Sequence, residues 1–174
     1  MVREFALAEL APIAREIDEQ KRFPHETIPK LAELGLMGVP WPEEYGGAGL
    51  DYVAYSIVVE EISRVCATTG ITVAAHTSLG TGPIFHFGTE EQRRFWVPKC
   101  ASGEVIAAFA LTEPDAGSDA KATQVTAVED GDHYVVNGAK LYCTNGTHAQ
   151  VIVFTARVGG SVGDTSSICA FLVE

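Results

Sequence analysis

Two stretches of this 174-residue chain concentrate the residue types that can do chemistry. The first is Phe109-Ala-Leu-Thr-Glu-Pro-Asp-Ala-Gly-Ser-Asp119, where an apolar run with strand character, Val105 to Leu111, empties into a loop. Thr112, the Glu113-Pro114 pair, Gly117 and the Ser118-Asp119 pair fall within eight residues. Backbone amides beside a glycine can approach an anion closely, and the two hydroxyls add hydrogen bonds without adding charge. Such a loop suits a flat, polar, phosphate-bearing cofactor. By itself it equally suits a plain turn, with Asp119 capping whatever follows. The second stretch is Asn137-Gly-Ala-Lys-Leu-Tyr-Cys-Thr-Asn-Gly146.

Other candidate chemistries fall away on spacing. The five histidines (His25, His76, His86, His133, His148) show no metal-ligand pattern. His76 and His86 are expected in the core or a pocket wall, and His25 and His133 at the surface. The four cysteines (Cys66, Cys100, Cys143, Cys169) are widely spaced, so they read as small hydrophobes in a reducing compartment. The glycine-rich loop Tyr45 to Leu50 follows no strand and lacks a P-loop lysine. Asp51 would also place a carboxylate where a phosphate would bind, so this loop reads as a turn between packed helices.

The composition is that of a globular protein, 47% hydrophobic and 20% charged, and the net charge is -11. Without a Lys/Arg cluster, nucleic acid is not an expected partner. No apolar run is long enough to span a bilayer, and Arg3, Glu4 and Glu9 interrupt any signal-peptide pattern. A cytoplasmic location is expected, or the mitochondrial matrix in a eukaryote.

The elements that must position the two stretches divide in two. Phe5, Leu10, Ile13, Ala14 and Ile17 recur at helical spacing, with a kink or late start at Pro12. A second helix is expected from about Pro24 to Gly35, and a third, apolar nearly all round and hence buried, from Tyr52 to Val65, capped by Asp51. Ile71 to Phe87 is broken by Gly80, Gly82 and Pro83, and Thr89 caps a helix that ends at Pro98 or soon after. From Val105 the period changes to short β-branched or aromatic runs: Val125–Val128, Tyr134–Val136, Leu141–Thr144, Val151–Ala156 and Ile168–Val173. Asp130-Gly131, Asn137-Gly138 and Asn145-Gly146 favour hairpin turns between them, and 158–167 is expected to be a mobile loop. The fold class is therefore α+β: an N-terminal all-α bundle, residues 1–104, followed by a partial antiparallel β domain, residues 105–174.

The order "ALTEP..GSD, then NG.K...TNG" resembles the acyl-CoA dehydrogenase family, and the likeness runs from Phe5 to Glu174. The turn and the cofactor loop thus separate in favour of the cofactor. The resemblance implies FAD as cofactor and α,β-desaturation of an acyl-CoA thioester, by α-proton abstraction and β-hydride transfer. By that match Phe109, Leu111, Thr112, Gly117 and Ser118 form one flavin segment, and Ser118 also faces the acyl-CoA. Tyr142, Cys143 and Thr144 form the second, with the aromatic over the ring and the threonine beside the reactive nitrogen. Ile71, Thr72, Ala75 and Leu79 would line the acyl pocket. The family's base glutamate belongs to a C-terminal helical domain and is expected beyond residue 174; Glu113 is expected to brace its loop. The isolated chain is accordingly expected to be an inactive fragment. The family implies an electron-transferring flavoprotein as acceptor and a homodimer or homotetramer at full length. Two other readings share these motifs: a non-catalytic module binding CoA thioesters or a partner, and an acyl-CoA oxidase or flavin monooxygenase relative.

Overall fold

Pro12 and Gly80 each interrupt a helical pattern, and in both places the helix widens instead of ending. The computed structural model describes all 174 residues, Met1–Glu174. Helix α1 (Val2–Phe5) passes through a π-helical turn (Ala6–Leu10) into α2 (Ala11–Gln20), with Pro12 in the first turn of α2. Proline donates no N–H and crowds the carbonyl four residues back, and a wider turn just before it relieves both. Ala6, Leu10 and Ile17 stay buried along this run. Likewise α5 (Ala67–Ala74), a second π-helical turn (Ala75–Thr81) and α6 (Gly82–Phe87) form one uninterrupted helical run. The expected break at Gly80, Gly82 and Pro83 is absent because the wide turn absorbs it.

The second helix, α3 (Ile28–Glu33), starts one turn later than Pro24 suggests, and Gly35 follows in the left-handed region at φ 71°. The loop after it closes against Trp41, where a Cβ on Gly47 would lie 2.0 Å from the Trp41 carbonyl oxygen. Only glycine allows that approach, which accounts for this glycine-rich loop as a packing turn. Asp51 caps α4 (Tyr52–Ser63) by accepting from the Ala54 N–H at 2.8 Å. Contrary to expectation, α4 is not buried all round. Tyr55, Val58 and Ile62 form its buried stripe, while Tyr52, Val53 and Ile57 are exposed. An i, i+3, i+7 stripe is what one packed face requires, and apolar residues beyond it need not be covered. Thr89 and Gln92 form a reciprocal capping box on α7 (Glu90–Ala101), which contains Pro98 and runs one turn past it.

The strands are β1 (Ala107–Ala110), β2 (Thr126–Asp130), β3 (His133–Asn137), β4 (Val151–Arg157) and β5 (Ile168–Val173). Their order is β1-β4-β2-β3, with β5 on the other side of β4. The sheet is mixed, which corrects the antiparallel expectation. β1 pairs β4 in parallel, from Ala107 opposite Val151 to Ala110 opposite Phe154, while β2–β3 and β4–β5 are antiparallel. Alternating side chains specify the buried face of a strand, not the direction of its neighbour. A parallel pair needs a long crossover, and the whole segment 111–150 supplies it. Asp130-Gly131 turns the β2–β3 hairpin as expected. Asn137-Gly138 and Asn145-Gly146 do not turn hairpins, and Leu141–Thr144 is not a strand. Tyr142 (φ 55°) and Asn145 (φ 68°) are left-handed there, a backbone that cannot join a ladder.

One apolar cluster fills the helical half around Leu10, Leu31, Ile62 and Val73. A second joins α7 to the sheet through Val97, Cys100 and Ala101 against Ala107, Val151 and Val153. The segment 158–167 has contacts that a mobile loop would lack. Buried Arg157 donates to Ser161 O (2.6 Å), Asp164 O (2.9 Å) and Ser167 Oγ (2.7 Å) within it. No helix is long and apolar enough to cross a membrane.

Candidate functional site

Where the second π-helical turn meets β1, the close approach is set by a missing side chain. A Cβ on Gly80 would lie 2.6 Å from both the carbonyl carbon and the Cβ of Ala107. His76, fully buried one turn earlier, ties the same joint. Its Nδ1 accepts from the Ala107 N–H at 3.0 Å, so Nε2 carries the hydrogen and donates to the Cys100 carbonyl at 3.0 Å. Burial disfavours the imidazolium and brings the His76 pKa from 6.5 down to about 4; the Cys100 carbonyl opposes this only in part. Both ring nitrogens are engaged, so His76 fastens elements and has no nitrogen free for acid–base work.

This joint presents Ala75 and Leu79 across from the end of β1. Together with Phe109, Leu111, Thr112, Leu141, Tyr142 and Thr144 they line a cleft of about 230 Å3. Its walls are mostly apolar, and its polar groups are neutral. The Thr112 and Thr144 hydroxyls bond to nothing in the chain, nor do the backbone N–H groups of Tyr142, Cys143 and Thr144. Tyr142 is 88% exposed and left-handed, a conformation that costs a non-glycine residue roughly 1–2 kcal/mol. Strain of this kind gathers where a side chain must be presented.

The two loops are fastened to each other. The Leu141 N–H donates to the Thr112 carbonyl at 2.7 Å. Lys140 Nζ donates to Glu113 Oε1 (2.6 Å), Leu111 O (3.0 Å) and Thr155 Oγ1 (3.1 Å), which uses all three of its hydrogens. Glu113 in turn accepts from the Gln124 N–H at 2.6 Å and the Val125 N–H at 3.2 Å. Burial pushes the Glu113 carboxyl up, but the Lys140 ammonium and those two amides outweigh it and hold the pKa below the usual glutamate range. Glu113 thus braces its loop, as expected. Asn145, buried and left-handed, reaches the helical half through Nδ2 to the Thr72 carbonyl at 3.0 Å.

An apolar slot with a neutral, hydrogen-bonding rim can hold a flat ring that has one polar edge. It can stabilise electron density gathered at that edge without fixing a full charge there beforehand.

Comparison with known sequences bears on the whole length. The acyl-CoA dehydrogenase N-terminal domain matches residues 1–104, and the acyl-CoA dehydrogenase middle domain matches residues 108–174. The chain belongs to the acyl-CoA dehydrogenase family. A short-chain specific acyl-CoA dehydrogenase of Clostridium acetobutylicum is 51% identical over 174 residues, 100% of this chain and 46% of that protein. Butyryl-CoA dehydrogenase from Megasphaera elsdenii superposes with a TM-score of 0.93 at 36% identity, over 99% of this chain and 46% of its own. An acyl-CoA dehydrogenase from Bacillus anthracis, complexed with FAD, gives a TM-score of 0.90 at 39% identity, over 99% and 30%. The chain therefore spans less than half the length of these relatives.

In this chain the residues singled out from sequence separate into two sets. Phe109, Leu111, Thr112, Tyr142, Thr144, Ala75 and Leu79 meet at the cleft. Cys143 lies just behind it, its thiol donating to the Phe109 carbonyl at 3.5 Å; burial pushes this thiol up, away from thiolate chemistry. Gly117 and Ser118 sit on an exposed loop outside the lining, Ile71 is exposed, and Thr72 is buried with its hydroxyl on Thr68 O at 2.9 Å. His86, expected in the core or a pocket wall, is exposed and pairs with the Tyr52 hydroxyl at 3.1 Å. Sequence reasoning missed the wall residue Leu141, the tie from Asn145 and the grip of Lys140. The last two had a signal: both are fixed letters of the second motif.

Proposed function

We propose that this chain carries flavin-facing and acyl-facing walls of an FAD-dependent acyl-CoA dehydrogenase, an oxidoreductase that desaturates acyl-CoA thioesters between the α and β carbons. The observation that carries the reading is the cleft itself, with its apolar walls and the unengaged hydroxyls of Thr112 and Thr144. FAD, when bound, supplies the two-electron acceptor that desaturation requires. Family membership and the FAD complex of the Bacillus anthracis relative support that choice.

In this reading Phe109 and Leu111 flank the ring, Thr112 donates to its polar edge, Tyr142 covers it and Thr144 donates from the second loop. Cys143 backs that loop from behind. Gly117 and Ser118 face the phosphate-bearing part of the cofactor or of the acyl-CoA. Ala75 and Leu79, with Ile71 and Thr72 on the preceding turn, face the acyl chain. The names of the relatives support a short acyl chain. No residue of this chain is assigned the α-proton, because Glu113 is fully committed to Lys140 and two amides. Two units are proposed, 1–104 helical and 105–174 flavin-facing, together with an electron-transferring flavoprotein as electron acceptor and a homodimeric or homotetrameric assembly. Family resemblance supports these.

Titration of the chain with FAD, read by flavin absorbance after excess cofactor is removed, tests the reading. Retained flavin is expected, weakened about three- to tenfold by Thr112→Ala and by Thr144→Ala, one neutral hydrogen bond each. Affinity untouched by both changes would refute these roles.

A further inference from the structure

Between the two cleft loops lies a charge pair whose cost demands a reason. The side chains of Lys140 and Glu113 are only 11% and 3% exposed, and no other ion pair of the chain is so dry. Burying such a pair contributes little net stability compared with an apolar pair of similar size. Its partners, however, are backbone groups, one on the cleft-lining loop and two on the segment that leads into β2. Lys140 holds the Leu111 carbonyl next to Thr112, and Glu113 holds the amides of Gln124 and Val125. Leu141, one residue past Lys140, adds its own N–H to the Thr112 carbonyl at 2.7 Å. Apolar side chains could fill this space, but they could not grip a carbonyl and two amides at once.

We propose that Lys140 and Glu113 form a positioning pair that sets the distance between Thr112 on the first loop and Tyr142–Thr144 on the second, and so sets how tightly and in what electronic environment a flavin is held. The proposal rests on the FAD reading above. Lys140 clamps the first loop while its own backbone carries the second, so one ammonium determines the width of the cleft. Thr155 Oγ1 on β4, at 3.1 Å, gives that ammonium a fixed seat on the sheet. Neither side chain lines the cleft; the pair meets the lining only through the Leu111 carbonyl, so its action on a cofactor is indirect.

The test compares the unaltered chain with Lys140→Met, Lys140→Arg and the double variant Glu113→Gln/Lys140→Met, which removes both charges together and so leaves none buried alone. Three quantities are read: the melting midpoint, amide hydrogen exchange, and FAD affinity with the visible spectrum of the retained flavin. The double variant is expected to melt within a few degrees of the parent and to keep slow exchange in Ala107–Ala110. It is expected to lose at least tenfold in FAD affinity, to lose the spectral shift of the bound flavin, and to exchange the Leu141 amide faster. Lys140→Arg, which keeps the charge, is expected to recover part of the affinity and of the shift. A double variant with parental affinity, spectrum and Leu141 exchange would overturn the proposal. If even the parent retains no FAD, the FAD reading fails by itself. Leu141 exchange then decides the positioning claim alone: faster in the double variant upholds it, unchanged overturns it.

Discussion

In the helical half, every ion pair has at least one well-exposed partner. Arg15–Glu19 is representative, with side chains 88% and 60% exposed, and Arg22–Glu26 and Arg94–Glu90 follow it at i, i+4 spacing. In the sheet half the strongest polar contacts are buried: Lys140 with Glu113, and Arg157 inside five oxygen acceptors drawn from Lys121, Thr123, Ser161, Asp164 and Ser167. The helices hold their shape through backbone bonding and apolar stripes, so their charges are free to sit in water. The segments 111–125, 138–150 and 158–167 have little regular backbone pairing of their own. Buried charges grip carbonyls and amides of 111–125 and 158–167 instead. The loops of the site lie in the half where charge replaces regular secondary structure, and Ala75 and Leu79 close it from the helical half.

That contrast can be broken most forcefully at Glu113. Glu113→Ala leaves the Lys140 ammonium buried without its partner and is expected to cost about 3–5 kcal/mol in denaturant unfolding. A loss below about 1 kcal/mol would mean that water reaches the pair and that the two halves do not differ.

Next comes the joint between the halves. The folded pKa of His76 lies at about 4, below its ordinary 6.5, so the unfolded chain binds more protons between those values. The contribution of His76 is complete above pH 6.5 and is lost as pH falls towards 4, about 3 kcal/mol in all. Glu113, whose folded pKa is lowered, adds a loss in the same direction at still lower pH. Unfolding free energy measured from pH 7 to 4 should therefore decline, and His76→Gln should flatten the upper part of that decline.

Within the helical half the effects should be small. Asp51→Ala removes the cap on Ala54 and should cost about 1 kcal/mol. Arg15→Ala breaks an exposed i, i+4 pair and should cost about 0.5 kcal/mol or less. Thermal melts of the two variants should rank in that order, and an Arg15→Ala effect as large as that of Glu113→Ala would erase the comparison.

Legibility in the sequence follows the same division. Asp51, Thr89 and the apolar stripes act within one helical turn, so the caps and helices could be read from local spacing. Where local rules misled, a second element had decided the outcome. The wide turn at Ala75–Thr81 exists because Gly80 must meet Ala107. The exposed side of α4 is set by what packs on Tyr55, Val58 and Ile62. The parallel pairing of β1 with β4 depends on a crossover spanning 111–150, which no short window reveals. At the site, the loop residues Thr112, Tyr142 and Thr144 were legible because their motifs are contiguous. Lys140 with Glu113, and Asn145 with Thr72, are partnerships across 27 and 73 residues, visible only in three dimensions.

The most direct measurement of the central claim is an intermolecular NOE experiment on the chain saturated with FAD. Contacts are expected from the flavin ring methyl groups to the methyl groups of Leu79, Leu111 and Leu141, which line the cleft. Flavin that binds while showing contacts only elsewhere, for instance to Ile84 and Leu172 in the groove between α6 and β5, would contradict it.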